Sequence, residues 1–133
     1  MEIARAVSAR GTCSRAKVGA VIVVGDVIAS TGYNGSPRGA RHCDHSTPNG
    51  DMEDGHCSRA THAEANAVVN AARHGAVIKG GVLYVTATPC YRCAPLVIQA
   101  GISRIVIGAE YRPDLRALAL LKECGVELSE LGA

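Results

Sequence analysis

A chain of 133 residues with 47% hydrophobic residues can bury one core of ordinary size, so we expect residues 1–133 to form a single domain. Its formal net charge of +2 is too small, and its Lys and Arg residues are too scattered, to indicate a surface for duplex nucleic acid. No apolar run approaches the roughly 18 residues that a membrane span needs, and the N-terminus lacks the apolar segment of a secretory signal. We therefore expect a cytoplasmic protein with no membrane partner.

The composition also bears on assembly. Phe and Trp are absent, so the core has to be packed from Val, Ile, Leu and Ala. A chain this poor in aromatic residues often gains stability from neighbouring copies, because binding that favours the folded state adds to its stability. The sequence therefore predicts a homo-oligomer.

The first half of the chain predicts a helix, a hairpin and a long loop. The segment "IARAVSAR" has helical spacing and ends at Gly11, and the apolar runs "VGAVIVV" and "VIASTGY" are joined at "GD", which is typical of a β-hairpin. From Asn34 to Arg59 the chain is rich in Gly, Pro, Asp and His and has no periodicity. A loop of this length needs something to organise it.

The second half alternates helices and strands. "AEANAVVNAAR" predicts a helix that ends near Gly75, "GVLYVTA" a strand, "APLVIQA" a helix closed by Gly101, and "RIVIGA" another strand. "PDLRALALLKECG" predicts a last helix with Pro113 in its first turn and Gly125 after its end. This alternation indicates an α/β fold with a layered sheet.

Cys90 and Cys93 lie where the predicted strand meets the predicted helix, in "ATPCYRCAPL". Six cysteines without a secretory signal indicate metal binding or catalysis rather than a disulfide framework. The free N–H groups and positive dipole end of a helix favour thiolate over thiol at such a junction. Two interpretations remain open on these residues, a thioredoxin-like redox pair and half of a zinc site.

A third ligand would separate these two interpretations, and "RATHAEANA" offers His62 at the start of the preceding helix. Two thiolates and a neutral imidazole leave one position of a tetrahedral zinc site for water. Glu64 would stand beside that water. As an alternative, Thr61 and Glu64 fit a capping box, T-x-x-E. The pair H-x-E and P-C-x-x-C is nevertheless the signature of zinc deaminases, with the Glu as acid and base.

The segments "THAEANA" and "TPCYRCA" resemble the cytidine deaminase-like superfamily, and "CSRAKVGAVIV", "TGYNGSPRG" and the pair His42 and Cys43 resemble its deoxycytidylate (dCMP) deaminases. The resemblance covers nearly the whole chain and implies a three-layer α/β/α sandwich with a mixed sheet of about five strands. It implies hydrolysis of dCMP to dUMP and ammonia, which supplies dUMP for thymidylate synthesis. Alternatives are another cytosine nucleotide or nucleoside, or tRNA adenosine, as substrate, although tRNA deaminases are not expected to carry "TGYNGSPRG".

The resemblance also implies roles for residues. Zinc would be held by His62, Cys90 and Cys93, with Glu64 as the catalytic acid and base. Asn34 should contact the nucleotide sugar, and cations near the pocket should bind its phosphate. The substrate-binding candidates are Asn34, Arg15, Arg112, Tyr111 and Ala63.

The remaining cysteines predict a second, structural zinc ion that would order the long loop. The resemblance supports Cys13 and Cys43 as two of its ligands. His56 and Cys57 are the other candidates, and His45 competes with them because adjacent residues tend to point apart. The resemblance further implies a homohexamer, regulation by dCTP and dTTP, and Mg²⁺ accompanying such a nucleotide effector.

Overall fold

A mixed five-stranded sheet forms the centre of the computed structural model, which describes residues 1–47, 50–109 and 113–131. The strand order is β2-β1-β5-β6-β7. β1 is antiparallel to β2 and β5, whereas β6 is parallel to both β5 and β7. The elements are α1 Glu2–Ser8, β1 Gly19–Val24, β2 Val27–Tyr33, β3 Met52–Glu53, β4 His56–Cys57, α2 Ala63–His74, β5 Val82–Val85, α3 Ala94–Gln99, β6 Arg104–Ile107, α4 Leu115–Glu123 and β7 Glu127–Glu130.

Two glycines show that helices cover both faces of this sheet. A Cβ at Gly32 would clash with the backbone of α2, and a Cβ at Gly19 would clash with the backbone of α1. Gly32 pairs with Ala20 and shares its face, whereas Gly19 precedes Ala20 and faces the other way. α1 and α2 therefore lie on opposite faces, which confirms the three-layer α/β/α arrangement.

The main core lies between the sheet and α2, α3 and α4. Ile22 of β1, Leu83 of β5 and Ile105 of β6 are fully buried there with alanines of α2 and with Val97 of α3. Small side chains on α2 allow the helix to lie close to the sheet. Ser30 of β2 adds a buried hydrogen bond to the carbonyl oxygen of Ala67 at 2.6 Å. This close packing fixes where α2 begins relative to the strand ends.

The start of α2 does not use the predicted capping box. Its N-cap is His62, with extended backbone, and no side chain of the described residues caps the helix. Thr61 instead forms an isolated bridge with Gly35 through two backbone hydrogen bonds of 2.8 and 3.1 Å. The carboxyl group of Glu64 is therefore not held as the partner of a Thr61 cap.

The C-terminal region differs from the sequence expectation in two ways. α4 begins at Leu115 with Asp114 as N-cap, so Pro113 precedes the helix instead of lying in its first turn. The carboxylate of Asp114 accepts hydrogen bonds from two N–H groups of the first turn, so Asp114 caps the helix and the helix begins after it. β7 was not predicted from the sequence, because "ELSE" has two exposed Glu residues and forms an edge strand.

The described residues between Asn34 and Arg59 are held by contacts within this segment and include the two-residue strands β3 and β4, which the sequence did not predict. The carboxylate of Asp51 accepts hydrogen bonds from the Arg41 guanidinium at 2.8 and 3.1 Å and from the N–H of Asp44 at 2.7 Å. The hydrogen bonds from Arg41 are the main cause that lowers the pKa of Asp51 to about 2.

Within the described ranges, no helix combines the length and the apolar character that crossing a membrane requires.

Candidate active site

His62, Cys90 and Cys93 meet where α2 and α3 begin. The Nδ1 atom of His62 lies 3.3 Å from the Sγ of Cys90 and 3.4 Å from the Sγ of Cys93. All three donor atoms lie within 4.8 Å of one another, and both thiols are buried. Two sulfur donors and one imidazole nitrogen at these distances fit a tetrahedral zinc ion with one further position.

Each of the two thiols shifts the pKa of the other. The hydrogen bond from Cys93, with help from His62, lowers the pKa of Cys90 to about 3, although burial opposes this. The same contact and burial raise the pKa of Cys93. The hydrogen bond with Cys90 raises the pKa of His62. The two thiols therefore do not ionise independently, and a divalent cation would allow both to ionise.

Glu64 lies two residues after His62, inside the first turn of α2. Its side chain is almost completely buried, with 4% of the residue exposed, and burial raises the pKa of its carboxyl group to about 7. A carboxyl group with a pKa near neutrality can both accept and donate a proton in one reaction cycle. Burial of Glu64 beside two thiols and an imidazole is unusual for a residue that only caps a helix.

A cavity of about 90 Å³ opens in front of this cluster. Its walls include Arg15, Asn34, His56, Glu64 and Thr88. Sequence analysis missed Thr88, whose buried hydroxyl has no hydrogen-bond partner among the described residues. Thr88 could have been identified from the sequence by its position directly before the proline of "TPCYRC".

The sequence-predicted substrate residues divide into three groups. Ala63 lines the cavity and is fully buried. Arg15 also lines the cavity, and its guanidinium donates a hydrogen bond to the carbonyl oxygen of Gly55 at 2.7 Å. Asn34 also lines the cavity. Its side-chain amide already forms two hydrogen bonds with the backbone: it accepts from the N–H of Val18 at 2.8 Å and donates to the carbonyl oxygen of Ala16 at 2.7 Å. Tyr111 and Arg112 lie outside the described residues.

A second cluster of donors contains Cys13, Cys43, His45 and Cys57, whose ligand atoms lie within 4.8 Å of one another. The Nε2 of His45 is 3.3 Å from the Sγ of Cys13, and its Nδ1 is 3.2 Å from the carbonyl oxygen of Gly50. The contact with Gly50 orients the ring so that Nε2 faces the thiols. The structure thus brings His45 to the cluster in place of His56.

His56 faces the other way because it neighbours Cys57 on a strand, where successive side chains point to opposite faces. It lines the cavity, with its ring centroid 6.1 Å from that of His62. From the sequence we expected the side chains of His56 and Cys57 to point apart, but the sequence did not show which of them would face the other thiols. Cys57 is the one that does.

The thiol of Cys13 is held next to the cavity. Burial opposes its ionisation, but the backbone N–H groups of Arg15 and Ala16 outweigh burial and lower its pKa to about 7. Burial, followed by the hydrogen bond with Cys13, raises the pKa of Cys43. All six cysteines of the chain lie in its described part and carry free thiols.

Comparison with known proteins agrees with this geometry. The family described as "Cytidine and deoxycytidylate deaminase zinc-binding region" matches residues 1–109. ComE operon protein 2 of Bacillus subtilis (strain 168) is 37% identical over 122 residues, which cover 92% of this chain and 64% of the Bacillus protein. The chain thus spans less than two thirds of the length of this relative and of two yeast deoxycytidylate deaminases that it also matches. The deoxycytidylate deaminase of Mycobacterium phage D29 is 39% identical over 117 residues, which cover 81% of this chain and 90% of the phage protein.

A solved structure extends the likeness to three dimensions. The dCMP deaminase of cyanophage S-TIM5, in complex with dCMP and dUMP, superposes with a TM-score of 0.84 at 32% identity, covering 98% of this chain and 92% of the phage chain. The matching family, the fold, and the cluster of His62, Cys90 and Cys93 beside Glu64 agree. The chain belongs to the cytidine and deoxycytidylate deaminase family, within the cytidine deaminase-like superfamily.

Proposed function

We propose that the chain is a zinc-dependent hydrolytic deaminase that converts dCMP to dUMP and ammonia, with residues 1–133 as one deaminase domain. One observation supports this most strongly: the carboxyl group of Glu64 is buried at the cavity wall beside a cluster of two thiols and one imidazole. The phage relatives named as deoxycytidylate and dCMP deaminases match almost over their full length, which supports dCMP as the substrate.

The residues around the cavity divide the chemistry between them. His62, Cys90 and Cys93 would hold the zinc ion, which supplies Lewis-acid activation of a water molecule when bound. Glu64 takes a proton from the attacking water, gives it to N3 of the pyrimidine and later assists protonation of the departing amine. Glu64 has to remain free of the metal to do this. The buried wall around it excludes bulk water, which strengthens these charge interactions.

We predict that Glu64→Gln retains zinc and fold but lowers kcat for dCMP by about 100-fold or more, because an amide cannot shuttle protons. Ammonia release measures turnover, and elemental analysis measures zinc in the same sample. Thr61→Ala is the matched control, since it removes the hydroxyl that a capping role would require. Turnover near that of the unaltered protein in zinc-loaded Glu64→Gln would refute the role of Glu64.

Arg15 is the described cation best placed to bind the substrate phosphate. It lines the cavity, and its hydrogen bond to Gly55 fixes the guanidinium at the wall formed by the β3–β4 hairpin. We retain Arg112 and Tyr111 as further phosphate-site candidates, and Asn34 and Ala63 as contacts for the nucleoside portion. The buried hydroxyl of Thr88 adds a donor that a substrate could satisfy.

We predict that Arg15→Gln lowers kcat/KM for dCMP by about tenfold or more, the scale of a charge-assisted hydrogen bond, while deoxycytidine is affected much less. Arg104→Gln is the control, because Arg104 begins β6 and bonds Ser129 and Glu127 away from the cavity. Steady-state kinetics with both substrates gives the ratio.

Equal losses for dCMP and deoxycytidine would show that Arg15 supports the fold instead of the phosphate. The same assay with CMP and deoxyadenosine tests the alternative substrates. A preference of the unaltered protein for deoxycytidine or adenosine substrates over dCMP would overturn the nucleotide assignment.

We also propose a structural zinc ion at Cys13, Cys43, His45 and Cys57. Four buried or half-buried donors within 4.8 Å of one another, none of them a carboxylate, fit a closed zinc site. The cluster joins the segment after α1 to the long loop and to β4, so a metal there would order a region with few apolar side chains. His56 is excluded from this ligand set by its position in the cavity wall.

We predict that the unaltered protein binds two zinc ions per chain and that the double variant Cys13→Ser and Cys43→Ser binds one. Metal is measured by elemental analysis after gel filtration. Cys124→Ser is the control, since Cys124 is exposed and belongs to neither cluster, and it should retain two. A single zinc ion in the fully loaded, unaltered protein would remove the second site.

Regulation and assembly are further parts of the proposal. A second cavity of about 750 Å³ is lined by Arg38, His42 and Arg73, together with the buried hydroxyls of Thr12 and Ser36, which have no hydrogen-bond partner in the part of the chain that the structure describes. Its size and charge suit a dCTP or dTTP effector, with Mg²⁺ on the phosphates. The cytoplasmic location expected from the sequence stays a prediction.

For assembly, we propose a homohexamer, supported by exposed apolar side chains on β2 and α2 such as Val27, Ile28 and Val69. We predict that analytical ultracentrifugation shows a hexamer at micromolar protein concentration, because these faces are buried between copies. A monomer at every concentration would contradict it.

A further inference from the structure

Tyr91 and Arg92 separate the two catalytic thiols and form the turn that presents them. Inside this turn, the N–H groups of Cys93 and Ala94 both donate to the carbonyl oxygen of Cys90 at 3.0 Å. These bonds close the turn. They do not fix where the turn lies relative to the neighbouring helices, and α3, which follows it, is only six residues long.

Asp114 connects this turn to α4. Its Oδ2 accepts a hydrogen bond from the N–H of Tyr91 at 3.0 Å, and its Oδ1 accepts from the N–H groups of Arg116 at 3.1 Å and Ala117 at 3.4 Å. The side chain of Asp114 is only 13% exposed. One carboxylate therefore bonds the metal-ligand turn with one oxygen and the start of α4 with the other.

Arg116 completes this group of contacts. Its Nε lies 3.4 Å from Oδ1 of Asp114, and its guanidinium carbon lies 5.0 Å from the centroid of the Tyr91 ring. Burial disfavours the charged form of Asp114, but hydrogen bonds from Tyr91 and then Arg116 outweigh this and lower its pKa. The carboxylate is therefore charged at neutral pH, which strengthens its hydrogen bond to the turn.

We propose that Asp114 is a positioning residue for the catalytic metal centre: by accepting the N–H of Tyr91, it fixes the turn that carries Cys90 and Cys93 against α4 and slows the loss of metal. Contacts to groups outside the ligand set commonly orient ligands and alter metal affinity. This inference rests on the proposed metal centre of His62, Cys90 and Cys93.

The turn of Cys90–Cys93 also forms an ion pair with the β3–β4 hairpin, through Arg92 and Glu53. Arg92 lies 3.2 Å from a carboxylate oxygen of Glu53 on β3, but the two side chains are 46% and 61% exposed. An exposed ion pair of long side chains contributes little, because water screens it and both side chains lose freedom. Glu53 therefore serves as an acidic control on the other side of the turn.

The test compares zinc release from three zinc-loaded variants after addition of excess chromogenic chelator. Asp114→Ser keeps a good helix cap but is too short to bond Tyr91 as well. Glu53→Gln removes the exposed ion pair. Leu118→Ala weakens the packing of α4 against the main core. Deaminase activity is followed in parallel, so that the phase of release that accompanies its loss identifies the catalytic metal.

We expect this phase to be about tenfold faster in Asp114→Ser, the lower end of the usual effect of such contacts on metal affinity, and to change less than about twofold in the other two variants. Unchanged release from Asp114→Ser, or equally fast release from Leu118→Ala, would overturn the positioning role while leaving the proposed function standing. Absence of zinc from the unaltered protein would overturn both.

Discussion

The mutual repulsion of buried acidic groups is the constraint on which the rest of this structure depends. Cys90, Cys93 and Glu64 are all buried at the start of two helices, beside the imidazole of His62. Placing two thiolates and a carboxylate there without a cation would be costly. A bound divalent cation removes this cost and makes the same arrangement suitable for activating water.

The second cluster is connected to the active site through the chain itself. Cys13 lies two residues before Arg15, and Cys57 follows His56, while both Arg15 and His56 line the catalytic cavity. The hydrogen bond from Arg15 to Gly55 joins the two segments directly. A metal that fixes Cys13 and Cys57 would therefore also fix one wall of the cavity, so a structural site can influence substrate binding without touching the substrate.

Much of this arrangement could be predicted from sequence because its signals are local. Within the described residues, periodicity and glycine positions predicted four of the five strands of the central sheet and the four helices, whereas the short β3–β4 pair was not predicted. The spacing of His62, Glu64, Cys90 and Cys93 predicted the central cluster. β7 was not predicted because an edge strand with two exposed Glu residues lacks a clear alternation of apolar and polar side chains. The position of His45 instead of His56 beside the thiols, and the hydrogen bond between Tyr91 and Asp114, depend on folding contacts that periodicity does not encode.

The measurement that tests the central claim most directly is conversion of dCMP to dUMP by protein stripped of metal and then titrated with zinc. The account predicts no turnover in the stripped protein and recovery of dUMP and ammonia release as the site of His62, Cys90 and Cys93 fills. Undiminished turnover by metal-free protein, or no turnover by folded protein that holds zinc at this site, would contradict it.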